Sequence, residues 1–203
     1  MTKALVTGAT RAPGRAIATS LAREGWEVHA LGRDRIALDE MRGEHGIVPL
    51  AMDLTDREYV SAVAEGLKPD VLVHAALRWP KEAQFLGLLE ADIDMALEVN
   101  LSATMHITRA VLPSMIERGR GAFLILSLEY SDAKSVIERA AAGALDGFAR
   151  ALAEEVRGTG VFVHRLSLGQ PPFERLGSEV LALLSASGFQ SQFIKHQEHG
   201  YGT

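Results

Sequence analysis

The segment "ALVTGATRAPGRAIATSLAREGWEVHALGRD", residues 4–34, constrains the fold of this chain more than any other. It runs from an apolar strand through a glycine-containing turn into a helical pattern, and then into a second apolar strand. Two strands joined through a helix lie parallel, because a tight hairpin cannot connect them. The helix begins at the carboxyl end of the first strand, where its unpaired N–H groups and partial positive charge favour a pyrophosphate. Glycines belong there because a Cβ would hold the phosphate away or block the turn.

The alternation continues to the far end of the chain. Strands are predicted at 4–7, 27–31, 47–51, 70–75, 121–127, 161–167 and 192–196, with helices at Gly14–Glu24, Arg35–Arg42, Asp56–Glu65, Asp92–Glu117, Ser135–Val156 and Glu179–Leu184. Several strands are almost continuously apolar, as expected when helices cover both faces of a sheet. No linker, low-complexity stretch or internal repeat interrupts the series. The expectation is one α/β domain over residues 1–203, a Rossmann-like doubly wound parallel sheet of about seven strands with helices on both faces.

Bulk properties narrow the functional classes. At 203 residues with 47% hydrophobic content, the chain is long enough to bury a core without staples. A net charge of −5, with Lys and Arg scattered, gives no footprint for nucleic acid. The absence of cysteine removes disulfides, thiol catalysis and thiolate metal sites. Ala4–Val6 is too brief for a signal-peptide core and no run reaches the length of a membrane span, so no membrane association and a cytoplasmic location are expected.

Thr7, Gly8 and Gly14 match the turn T-G-x-x-x-G-x-G of the short-chain dehydrogenase/reductase family, which the sequence resembles along nearly its whole length. Asp53-Leu54-Thr55 looks like the family's adenine-contacting motif, and His74-Ala75-Ala76 stands where N-A-G is usual. "LEVNLSATMHITRAVLPSM" follows the helix that carries the family's Asn, here Asn100. The resemblance implies a dinucleotide held by Gly8, Thr10, Arg11, Gly14, Arg33, Asp53, Leu54, His74 and Ala75, with a hydrogen-bonded structural histidine as the other and weightier reading of His74. Arg11 and Arg33 sit where members preferring NADP place cations for the 2′-phosphate, so the implied cofactor is NADP(H). Two departures weaken the cradle: Ala12 replaces the middle glycine, and Pro13 has no N–H to donate.

The resemblance also implies a Ser, a Tyr and a Lys beside the nicotinamide, because hydride and proton must reach adjacent atoms. Aligning Y-x-A-S-K-A-A-L-x-G-F with "ERAAAGALDGF" puts Glu138 at the tyrosine position and Ala142 at the lysine position, while the serine position falls on Leu128. "YSDAK" offers Tyr130 and Lys134 at the right mutual spacing, but Lys134 stands 142 − 134 = 8 residues too early, about 12 Å along a straight helix. Its readings are an exposed turn that starts a helix, or a displaced catalytic pair. Glu138 is either a surface carboxylate or a general acid or base working with Asn100. Phe173 occupies the place of the family's nicotinamide-contacting Thr, and the substrate lid, at about 170–190, is expected to be short.

The expectation is therefore a family member without ordinary carbonyl reductase activity, a pseudo-enzyme that binds NADP(H). The alternatives are an active NADPH-dependent reductase using Tyr130 and Lys134, and a redox-neutral enzyme using Glu138. Arg78 and Trp79 border the predicted cleft and are candidates to stack on a ligand or partner. No metal site is expected, since His196 and His199 would point to opposite faces of a strand. Small residues at 140–144 lie on one of the helices through which the family pairs, so the implied assembly is a homo-oligomer, dimer or tetramer, or a hetero-oligomer with an active relative.

Overall fold

The structure is a computed structural model that describes residues 2–45, 47–81, 84–129, 132–168, 173, 175–185 and 193–195. Its first half comprises β1 (Lys3–Thr7), α1 (Gly14–Arg23), β2 (Glu27–Gly32), α2 (Arg35–His45), β3 (Val48–Ala51), α3 (Arg57–Leu67) and β4 (Val71–His74). A short 3-10 turn at Phe85–Gly87 leads to α4 (Glu90–Leu97), a π-helical turn (Glu98–Ser102) and α5 (Ala103–Arg118). Then come β5 (Gly121–Leu128), α6 (Val136–Glu155), β6 (Val161–Leu168), α7 (Leu176–Ser185) and the three-residue β7 (Phe193–Lys195).

All strand pairings are parallel, in the order β3-β2-β1-β4-β5-β6-β7. The order reverses between β1 and β4, and in open α/β sheets ligands bind at that reversal, beyond the carboxyl ends of the strands. Successive residues of a strand face opposite layers, and both layers are apolar. Ala4 and Val6 of β1 pack with Ile17, Leu21, Leu38, Met41 and Val180, contributed by α1, α2 and α7. Leu5, between them, packs on the other side with Val60, Val111, Leu145 and Leu152, contributed by α3, α5 and α6.

Local chemistry sets the helix ends. Asp56 accepts a hydrogen bond from the Tyr59 N–H at 3.4 Å and starts α3. α5 ends at Gly119, whose φ of +63° lets the chain turn back while its N–H reaches the Ile116 carbonyl at 2.9 Å. The predicted helix Asp92–Glu117 is not one α-helix. It starts two residues earlier, at Glu90, and passes through the π-helical turn that contains Asn100. A π turn inserts one residue into the helical repeat, and a single continuous helix assumed across 92–117 leaves no place for it. Arg57 of α3 clamps this turn through two hydrogen bonds to Glu98, one of them Nε to Oε1 at 2.6 Å.

α7 lies against α1. Gly177 sits so close to α1 that an added Cβ would stand 2.9 Å from the Ala16 carbonyl oxygen, with the Ser20 side chain nearer still.

Candidate functional site

A cleft of about 400 Å³ opens beyond the carboxyl ends of the strands at the reversal point. Its geometry starts with Thr7, the last residue of β1. The Thr7 hydroxyl donates to the Val73 carbonyl at 3.4 Å and accepts from the N–H groups of Ala75 and Ala76 at 3.2 and 3.3 Å. This ties the turn after β1 to the segment after β4. Gly8 then runs against that segment with φ +66°, and a Cβ there would stand 2.6 Å from the Ala76 Cα. Gly14 closes onto the Gly8 carbonyl oxygen, 2.5 Å from the position of an added Cβ. The backbone floor of the cleft is therefore built by two glycines that no larger residue can replace without displacement.

Seven of the nine residues expected to hold a nucleotide line this cleft: Gly8, Thr10, Arg11, Arg33, Asp53, Leu54 and Ala75. Gly14 supports the turn from behind, as described. His74 is not at the surface of the cleft but 4% exposed, with Nε2 sharing a hydrogen bond with Thr108 Oγ1 at 2.9 Å. Burial pushes its pKa down to about 3, so it stays neutral and works as an internal strut between β4 and α5. The signal that could have shown this is Thr108, one residue type that pairs well with a buried imidazole, on the helix packed across β4.

Asp53 and Arg33 face each other at 3.7 Å at the cleft's edge. The Asp53 carboxylate accepts from the Thr55 N–H at 3.0 Å and from the Thr55 hydroxyl at 2.9 Å. Those hydrogen bonds, with the positive charges of Arg33 and Arg78, hold its pKa below the usual carboxylate range. Residues that sequence reasoning did not assign to the site include Gly32, Asp34 and Val99. Gly32 has its own legible reason: a Cβ there would stand 2.6 Å from Thr10 Cγ2, closing the floor between the two strands.

Asn100 is 1% exposed and does not line the cleft; it reaches the segment that does. Its Oδ1 accepts from the Arg78 N–H at 2.8 Å and its amide donates to the Arg78 carbonyl at 2.7 Å. Arg78 and Trp79, singled out from the sequence as bordering residues, both line the cleft.

The far end is apolar among the described residues, with Leu128 at the end of β5, Leu168 at the end of β6, and Phe173. Ser127 is 1% exposed, its hydroxyl bonded to the Leu128 carbonyl at 3.3 Å, and it does not reach the cleft. Glu138 is engaged elsewhere. Its Oε2 accepts from the N–H groups of Lys134 and Ser135 at 2.6 and 3.0 Å, while Ser135 Oγ accepts from the Glu138 N–H at 3.2 Å. This is a reciprocal capping box at the start of α6. Lys134 is exposed, Ala142 is buried in the α6 core face, and neither lines the cleft. Tyr130 lies outside the described residues, as do His196 and His199.

Among the described residues, no group of three His, Asp or Glu side chains is placed to hold a metal ion. No helix among them is long and apolar enough to cross a membrane. α7 occupies part of the span expected for a short lid, and it packs on α1 through Gly177.

The family model for short chain dehydrogenases matches residues 2–170. An uncharacterized short-chain type dehydrogenase/reductase of Sinorhizobium fredii is 48% identical over 118 residues, covering 58% of this chain and 48% of that protein. A short chain dehydrogenase of Pseudocercospora fijiensis is 35% identical over 202 residues, covering 91% of this chain and 64% of its own length. The chain thus spans about half to two thirds of these curated relatives. Among solved structures, a metagenomic short-chain oxidoreductase in complex with NADP superposes with a TM-score of 0.88 at 27% identity, covering 97% of this chain and 98% of that one.

Proposed function

The chain belongs to the short chain dehydrogenase/reductase family, and from that premise we propose that it binds NADP(H) but has lost ordinary carbonyl reduction. One observation carries this reading. The described far end of the cleft presents Leu128, Leu168 and Phe173, where reduction of a carbonyl needs a proton donor within hydrogen-bond reach. Reading Leu128, Glu138 and Ala142 at the family's Ser, Tyr and Lys positions agrees with it. The capping role of Glu138 favours loss of catalysis over a redox-neutral reaction at that carboxylate, because the N–H groups of Lys134 and Ser135 already occupy its Oε2 at the helix end.

The nucleotide fits the residues present. Gly8, Gly14 and Gly32 keep Cβ atoms out of the floor, and Arg11 and Arg33 supply the charge that a 2′-phosphate needs. Thr10 adds a hydroxyl, and Asp53 an acceptor for the adenine end. When bound in a competent site, the nicotinamide of this cofactor supplies a hydride. The metagenomic relative was solved with NADP, and a Pongo abelii relative, 32% identical over 179 residues, carries the name inactive hydroxysteroid dehydrogenase-like protein 1.

The protein is further proposed to act in the cytoplasm as a non-catalytic subunit or binding module of a dimer or tetramer, formed with itself or with an active relative. Exposed Met105 and Ile116 on α5 and Val136 at the start of α6 supply apolar surface for such pairing.

The test is a titration with NADPH followed by tryptophan fluorescence, with turnover measured in the same sample. Trp79 lines the cleft, so its quenching should saturate, and Trp79→Phe should remove most of the signal. NADPH should remain unoxidised with ketones, aldehydes and acyl thioesters. Appreciable oxidation by the purified protein alone would reject the reading.

A further inference from the structure

Arg78 remains unexplained by the family pattern, and its surroundings are unusual for an exposed arginine. Its backbone is held on both sides, N–H and carbonyl, by the buried amide of Asn100 at 2.8 and 2.7 Å. Its guanidinium, in contrast, forms no ion pair or hydrogen bond among the described residues. The residue thus has a fixed root and a free, charged head, and it lines the cleft. Asp53 lines the same cleft, and the positive charge of Arg78 is among the causes that lower its pKa.

The turn between β1 and α1 is short of donors on the same floor. Pro13, at the start of α1, has no N–H and no side chain that caps the helix. The Arg11 and Arg15 N–H groups point into the turn itself, toward the Gly8 carbonyl at 3.5 Å and the Arg11 carbonyl at 2.8 Å. A diphosphate placed over Gly8 therefore meets fewer backbone donors than a glycine-rich turn provides. An arginine rooted across the reversal point, a few residues beyond the Ala75–Ala76 wall that Gly8 touches, is positioned to replace them.

We propose that Arg78 is the principal side-chain ligand for the diphosphate of the bound nucleotide, substituting for donors missing from the turn. This rests on the NADP(H) reading of the cleft. The planar guanidinium pairs with two phosphate oxygens at once, which suits a bridging diphosphate better than a lone base or sugar. Asn100 is a positioning residue for it, acting through the Arg78 backbone.

The test compares Arg78→Gln with the unaltered protein against two probes: 2′-phospho-ADP-ribose, which carries the diphosphate, and adenosine 2′-monophosphate, which does not. Each is measured by calorimetry or by competition with NADPH. Arg78→Gln should weaken 2′-phospho-ADP-ribose by about 10- to 100-fold, the range for one charge-assisted contact, and adenosine 2′-monophosphate by less than about 2-fold. Arg78→Lys should recover part of the loss. Because the head is exposed and unpaired, the variant's melting temperature should match that of the parent. Equal affinities for parent and variant, or equal losses with both probes, would overturn the assignment while leaving the NADP(H) reading intact. No saturable binding of 2′-phospho-ADP-ribose or NADPH to the parent would overturn both.

Discussion

Asn100 and Arg78, 22 residues apart in sequence, are joined by a reciprocal pair of hydrogen bonds between one side-chain amide and one peptide unit. The amide sits in a π-helical turn and is almost fully buried, while the peptide belongs to the wall of the cleft. Removing it leaves two backbone groups without partners. Asn100→Ala should therefore cost about 1–3 kcal/mol, measured by urea unfolding, and should weaken nucleotide binding by loosening Arg78. Asn100→Asp keeps the acceptor but sets a carboxylate against the Arg78 carbonyl, so its loss should be at least as large and should shrink as that carboxyl is protonated at low pH.

Gly8→Ala tests the floor of the site. The new methyl group would stand 2.6 Å from the Ala76 Cα at a backbone φ of +66°, so crowding and an unfavourable dihedral coincide. A loss of about 1–3 kcal/mol is expected in thermal or urea unfolding, together with loss of the NADPH fluorescence response. A Gly8→Ala protein that bound NADPH as tightly as the parent would show that the turn does not carry the diphosphate.

Glu138 and Ser135 should behave as cap residues. Ser135→Ala and Glu138→Gln are each expected to lower stability, the first by about 0.5–2 kcal/mol, and the double variant should lose less than the sum of the two single losses because the bonds are reciprocal. Neither substitution should change nucleotide affinity, as measured in the same fluorescence titration. A large affinity change in Glu138→Gln would return this carboxylate to the site.

Two buried histidines predict an acid-side loss of stability. Burial lowers the pKa of His74 from 6.5 to about 3 and that of His164 from 6.5 to about 4. Above pH 6.5 both are neutral in the folded and unfolded chain and make no difference. As pH falls below 6.5, the unfolded chain takes up protons that the folded one refuses, so stability drops by up to about 1.4 kcal/mol per pH unit for each histidine. The drop from His164 levels off near pH 4 and that from His74 near pH 3. Urea midpoints should hold between pH 7.5 and 6.5 and fall from there to pH 4.5, and His74→Asn should flatten that fall.

The fold was readable because most strands are largely apolar runs bounded by polar turns, and the pattern needed no long-range information. All seven predicted strands coincide with β1 to β7 to within about two residues at either end. The π turn around Asn100 escaped because one continuous helix assumed across it leaves no place for the inserted residue. In the site, the residues with local reasons were readable: glycines in a turn, arginines after a strand, an Asp-Leu-Thr beyond β3. Of the two readings of His74, the hydrogen-bonded structural one agrees with its buried contact to Thr108, a partner 34 residues away that local sequence does not point to. Glu138 has a capping box spelled out by Ser135 three positions earlier, a short-range pattern legible in the sequence that gives its carboxylate a structural task at the helix end.

The docking of α7 on α1 has a mechanical consequence. The helix that begins at the turn after β1 is backed by a helix from the far end of the sequence, and Leu176, Val180 and Leu183 share a packed layer with Ile17 and Leu21. Loosening the C-terminal third should therefore slacken the N-terminal loop first. Hydrogen exchange in the amides of Gly14 to Arg23 would report an event more than 150 residues away along the chain, and a ligand that tightens the turn should in return slow protease attack on α7.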